Sequence, residues 1–249
     1  MSQPAGPVRL ERSPKRVRAL VEGVPVADSR ACVLVWEHPR YPAYYLPRAD
    51  VRAELTDTGR VDTDPQRGTG HVLDLAVAGR TITGAALAYP DSPEPALREL
   101  VRIEWGAVDQ WLEEDEPVYV HPRDPYTRVD ILASSRHVQI EVAGATVAES
   151  TQPRILFETS LIPRHYLPLP DVRTDLLRES ETVSHCPYKG VASWWTVAVG
   201  GTVHEDLAWT YRTPLPESRQ VAGLVCFDDE RVDVVLDGER RPRPTSPFA

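Results

Sequence analysis

The sequence predicts a mostly-β protein made of two tandem small β domains of the same fold, with few short helices. Three observations carry this: prolines scattered between short apolar runs, the β-branched and aromatic make-up of those runs, and an internal repeat over most of the chain. The 249 residues hold 24 prolines, about twice the usual share, at places such as "YPDSPEP", "HPRDPY" and "RTPLPES". Proline inside a helix removes a hydrogen bond and clashes with the preceding turn, so long helices are expected to be few. The intervening runs alternate and favour residues that fit a pleated surface.

Along the chain, "VEGVPVADS" reads as strand, tight turn, strand, and "ACVLVW" as a third strand. An "LPRADVR" segment follows, with Asp50 placed to cap a short helical turn over "VRAEL". A hairpin then crosses Gly79 in "HVLDLAVAG", and "PVYVH" is a late strand. The same order recurs in "HVQIEVAG", "ILFET", "WWTVAVGG", "LVCF" and "RVDVVLDGE". Residues 16–55 lie over 137–176 at an offset of 121: Glu37 meets Glu158, Tyr45 meets Tyr166, and Asp50-Val51-Arg52 meets Asp171-Val172-Arg173. One residue later in offset, "DPQRG" (64–68) faces "CPYKG" (186–190), Tyr89 faces Tyr211, and Trp105 faces Phe227. With two more inserted, "VDQW" faces "VDVV".

A period this long is a domain duplication, since each copy can own a core. The expected layout is a disordered extension over 1–15, a first domain over 16–134, a second over 135–240 and a disordered tail over 241–249.

A net charge of -9 with no basic cluster argues against a nucleic-acid partner. Three cysteines without a CxxC pair predict reduced thiols in a cytoplasmic protein, with no metal site and no cofactor motif. No apolar run approaches membrane-spanning length, so no membrane partner is expected. The sequence makes no prediction of oligomeric state.

Only two of the 28 basic residues are lysines, and one is Lys189 in "HCPYKG". Retaining it among arginines suggests a task for a compact ammonium. A hairpin turning at Gly200-Gly201 would put Trp194 opposite Leu207 and Thr196 opposite Glu205. Trp194, Glu205, Trp209 and Tyr211 then share one face, with Tyr188 and Lys189 entering at its edge. These six residues form the expected ligand-binding set. For a catalytic role only Lys189 and Cys186 are candidates, and His185, adjacent in an extended segment, is badly placed to activate the thiol. The first copy keeps Pro and Gly at these places but has Val72 and Leu87 where the second has Trp194 and Trp209, so the site belongs to the second copy.

Several separated motifs, "ESTQPRILFETSLIPRHYLPLPDVRTDLL", "SHCPYKGVASWW", "GGTVHEDLAWTY" and "VAGLVCFDDERVDVVLDGE", resemble in order the bacterial family of domain of unknown function 427, in two copies. The resemblance implies a fold similar to small β-tent domains, with a pocket on a sheet face. It also brings the nucleotidyltransferase label attached to the family. The expected function is binding or modification of an unknown small molecule in an aromatic-lined pocket. The alternatives are a non-catalytic structural or protein-interaction module and, by label alone, nucleotidyl transfer.

Overall fold

The computed structural model describes residues 7–245, and the outermost stretches of the expected disordered ends lie outside them. The protein is mostly β, in two similar halves that form two compact units, Met1–Asp124 and Pro125–Ala249. Among the described residues helical structure is confined to short 3-10 turns, the longest Pro216–Val221. No helix there is long and apolar enough to cross a membrane.

Each unit has a seven-stranded and a four-stranded antiparallel sheet. In the second unit the larger sheet runs Val129–Ala133, Arg154–Glu158, Arg164–Leu167, Val225–Phe227, Thr202–Thr210, Gly190–Val199, Leu177–Cys186. The smaller runs Ala145–Ser150, Val138–Val142, Asp233–Leu236, Glu239–Arg240. Period-2 alternation divides each large sheet into two faces. One face packs on the small sheet to make the main core, with Val138, Ile140, Leu167, Val197, Leu207 and Phe227 in the second unit. The opposite face carries a smaller cluster that includes Leu156, Tyr166, Trp209, Tyr211 and Cys226. The first unit repeats both clusters.

Several expectations shift. The boundary lies upstream of residue 134, because Val129–Ala133 pairs along its length with Arg154–Glu158 of the second unit. The extension over 1–15 is ordered from at least Leu10, whose strand Leu10–Arg12 pairs with Val33–His38. Neither Asp50 nor Asp171, its counterpart, caps the expected turn: Arg48–Asp50 and Leu169–Asp171 end at the aspartates, the turn Thr174–Leu176 within "VRTDL" starts after Arg173, and Asp50 accepts instead from Ser29 Oγ at 2.6 Å. The acidic stretch after Trp111 is part of a hairpin, Gln110–Glu113 with Glu116–Val118, and Glu113 is buried.

The repeat register also changes near its end. Ala86 pairs with Ile103 and Ala208 with Phe227, so Ile103, not Trp105, is the counterpart of Phe227. It follows that Arg102 corresponds to Cys226 and Trp105 to Asp229. On the small sheet, Trp111 pairs with Ala19 as Val234 pairs with Ile140, which makes Val234 the counterpart of Trp111.

Candidate functional site

The outer face of the second unit's large sheet holds a cavity of about 500 Å³. Alternation along two paired strands sends Leu156, Glu158, Arg164 and Tyr166 to this face. The next hairpins contribute Ser184, Trp194, Trp209 and Tyr211, and the loop after Phe227 contributes Asp228, Glu230 and Arg231.

The hairpin at Gly200-Gly201 begins in the expected register, with Val199 opposite Thr202 and Val197 opposite His204. A bulge then intervenes, and Trp194 lies opposite Trp209, not Leu207. Asp206, at φ 48°, sits in the bulge and occupies the position of Gly84 in the first unit, which is also at positive φ. That glycine in the aligned repeat was the available signal for the bulge. The two indoles meet at 5.0 Å between ring centroids and 46° between planes. Trp209 Nε1 donates to Tyr166 Oη at 3.2 Å and Trp194 Nε1 to Ser184 Oγ at 2.8 Å, so both polar edges are satisfied and the rings are fixed as walls.

Lys189 reaches the cavity from the tight turn after Cys186. Gly190, at φ 96°, allows that turn, since other residues rarely adopt this backbone conformation. Leu215 N donates to Lys189 O at 3.0 Å and Ser218 Oγ to Tyr188 O at 3.1 Å, which pins the turn beneath the segment after Tyr211. Lys189 Nζ donates to Glu158 in a short ion pair, with both side chains largely buried. Burial alone would lower the lysine pKa, but Cys186 and Glu158 beside it outweigh that and raise it. The pairing favours the charged ammonium at Lys189. Its retention has a physical reason that the other lysine shares: Lys15 likewise pairs with a buried carboxylate, Glu113.

Arg164 holds Glu230 through two hydrogen bonds of 2.7 and 2.8 Å and lies over Trp209, 5.5 Å from its ring centroid. Asp228 shares this corner. Burial, a hydrogen bond to Glu230 and repulsion from it push Asp228 up to about 6. Glu230 would also rise on burial, but hydrogen bonds with Arg164 and Asp228 hold it down at about 2. The corner thus carries one carboxylate and one acid that titrates near neutrality.

Of the six expected ligand residues, the structure brings Lys189, Trp194, Trp209 and Tyr211 to this cavity. Glu205 is not among them: the bulge turns its side chain to solvent, and its carbonyl accepts from Arg231 Nη2 at 2.8 Å. Tyr188 is buried under the turn and does not line the cavity. Cys186 is half-buried at the edge of the cluster, outside the lining, and His185 is exposed. The residues that sequence reasoning missed are Glu158, Tyr166, Arg164 and the Asp228–Glu230 pair. The first two had a signal, since they are identical to Glu37 and Tyr45 in the aligned copy.

Among the described residues no group of three or more His, Cys, Asp or Glu is placed to hold a metal ion. The sequence model of one family, described as Domain of unknown function (DUF427) and labelled NTP_transf_9, matches residues 9–114 and 130–238. The chain belongs to this family, in two tandem copies. No curated protein matches it.

Proposed function

We propose that the second unit binds a small molecule with a flat apolar body and an anionic end, seated against the wall formed by Trp194 and Trp209 with its anion towards Arg164 and Lys189. The supporting observation is a contrast between counterparts. In the second unit two indoles and three cations, Arg164, Lys189 and Arg231, border one cavity of about 500 Å³. In the first unit Arg102 projects from the Cys226 position, binds Glu37 and Glu104, and lines two smaller hollows of about 320 and 250 Å³. Neither hollow is lined by Tyr45, Arg67 or Tyr89, the counterparts of Tyr166, Lys189 and Tyr211.

Each part of the reading has a physical basis. Indole rings fixed by hydrogen bonds lose little freedom when a flat ligand packs against them. Lys189 pairs with one carboxylate, and Arg164 hydrogen-bonds Glu230 with Asp228 and Asp229 at 4.0 and 3.9 Å, so each cation keeps N–H donors to offer an incoming anion. Native mass spectrometry of protein purified from its own host, with calorimetric titration of 2-naphthoate as a probe, tests the reading. A retained acidic molecule, or saturable naphthoate binding weakened about tenfold or more by Trp209→Ala, is expected. No retained molecule together with no naphthoate binding would overturn it.

A further inference from the structure

Three cations and three acids line the aromatic cavity: Arg164, Lys189 and Arg231 against Glu158, Asp228 and Glu230. Two of the acids have a cation in hydrogen-bond contact, since Lys189 holds Glu158 and Arg164 holds Glu230. Asp228 does not. Arg164 and Arg231 each stand 4.0 Å from it, beyond hydrogen-bond reach, and the Arg231 guanidinium donates instead to the carbonyls of Glu205 and Asp206. The near neighbour of Asp228 is a second acid, Glu230, whose backbone N–H reaches Oδ1 at 3.4 Å. Its side chain keeps 22% exposure and borders the cavity.

The first unit treats the equivalent acid differently. Ile103 and Phe227 are counterparts, so Glu104 corresponds to Asp228. One guanidinium serves two acids there: Arg102 donates through Nη1 to Glu37 and through Nη2 to Glu104. The counterparts of those acids are Glu158 and Asp228, but the arginine position is Cys226, buried and without a charge. Lys189 supplies the cation for Glu158. No side chain hydrogen-bonds Asp228 as Arg102 does Glu104, so a cation is missing from the wall of an open cavity.

Charge balance says what fits that place. With Asp228 ionised the lining is neutral, and Asp229, buried 3.9 Å from Arg164, adds one more negative charge. A ligand with only an anionic end deepens that excess. A ligand that carries a carboxylate and an ammonium leaves the balance unchanged and gives each end a partner. Arg164 lies 4.0 Å from Asp228, close enough for two opposite charges on one carbon to meet both residues. Resting on the reading of an aromatic acid in this cavity, we infer that its ligand is a zwitterion, an aromatic α-amino acid whose ammonium group pairs with Asp228 while its carboxylate meets Arg164 and Lys189. The ammonium supplies the cation that Arg102 gives Glu104 in the first unit.

Calorimetric titration of the full chain with three probes that share one ring tests this, at a pH above about 6 so that Asp228 is ionised. The probes are tryptophan, indole-3-propionate, which lacks the ammonium, and tryptamine, which lacks the carboxylate. Tryptophan should bind about tenfold tighter than either. Asp228→Asn should bring tryptophan and indole-3-propionate within about twofold of each other. Trp209→Ala should weaken both, because both use the aromatic wall. Indole-3-propionate binding as tightly as tryptophan in the unaltered protein, a comparison that needs no variant to fold, would overturn the inference. Its weakening by Trp209→Ala would in that case leave the aromatic-acid reading standing. A preference for tryptophan that survives Asp228→Asn would also overturn the inference. No binding of the three indole probes overturns the inference alone if 2-naphthoate binds, and both readings if it does not.

Discussion

The two units start from the same carboxylate and tyrosine and use them in opposite ways. In the first, Tyr45 Oη and Arg102 both donate to Glu37, and Arg67 Nε stands 3.7 Å away. In the second, Lys189 takes the carboxylate of Glu158, and the Tyr166 hydroxyl receives the Trp209 N–H. The guanidinium has changed places. The first unit has Arg102 on its central strand and Ala43 nearer the edge, whereas the second has Cys226 and Arg164 at those two positions. A guanidinium rising from the sheet floor fills the face, while one anchored to a rim acid leaves the floor open. With Arg102 on the floor the first unit has two hollows of about 320 and 250 Å³, and with Arg164 nearer the edge the second has one cavity of about 500 Å³.

The sharpest way to break the comparison is to move the arginine back. Cys226 is fully buried, so Cys226→Arg alone places a second guanidinium near Arg164, and should cost about 4 kcal/mol in chemical denaturation. Adding Arg164→Ala removes the like charge and frees the new arginine to reach Glu158, as Arg102 reaches Glu37. The double variant should recover much of that stability and still lose naphthoate binding, read by calorimetry. Retained binding in the double variant would show that Arg102 does not plug the first unit.

A smaller effect is expected from the Lys189–Glu158 pair. Both groups are mostly shielded, at 12% and 7% side-chain exposure, so removing one leaves the other charged in a poor environment. Lys189→Met should therefore destabilise by about 3 kcal/mol, and Glu158→Gln by a similar amount. The double variant should cost less than the two together, because no charge is left stranded. Additive losses in urea denaturation would mean that the two groups do not depend on each other.

The contrast between copies also explains what could be read from the sequence. The tandem β architecture was legible because period-2 alternation and a duplicated pattern are local signals repeated many times. The aromatic wall was legible in part: Trp194, Trp209 and Tyr211 keep their common face because the bulge shifts the pairing by an even number of residues. Glu205 sits inside the bulge, between the paired His204 and Ala208, so its placement failed where the register changed. Arg164 and the Asp228–Glu230 corner lie across the sheet from the hairpin. Their approach depends on the order in which strands assemble, which residue spacing does not encode.

The mildest test concerns pH and the Asp228–Glu230 corner, which has no equivalent acid pair in the first unit. At the matching place the first unit has Glu104 and Gly106 in strand register with Asp228 and Glu230. Asp228 is raised to about 6, above its ordinary value of about 3.9, so the folded protein holds that proton more tightly than the unfolded chain. The stability it contributes is complete below the unfolded value and is lost as pH rises through about 6. Glu230, lowered to about 2, contributes in the opposite sense: its share is present above its unfolded value and is lost as pH falls towards 2. Between the ordinary carboxylate range and about 6, Glu230 is already ionised in both states, so the Asp228 slope stands alone. Asparagine resembles the protonated acid and has no slope. The stability of Asp228→Asn relative to wild type should therefore rise with pH across this window, by about 1 kcal/mol after screening at a half-buried site. Naphthoate affinity should follow the same course, because ionised Asp228 adds a negative charge beside Arg164, the proposed anion partner. Parallel pH profiles for wild type and Asp228→Asn, in both denaturation and naphthoate titration, would show that the corner does not titrate and that Arg164 is not the group that receives the anion.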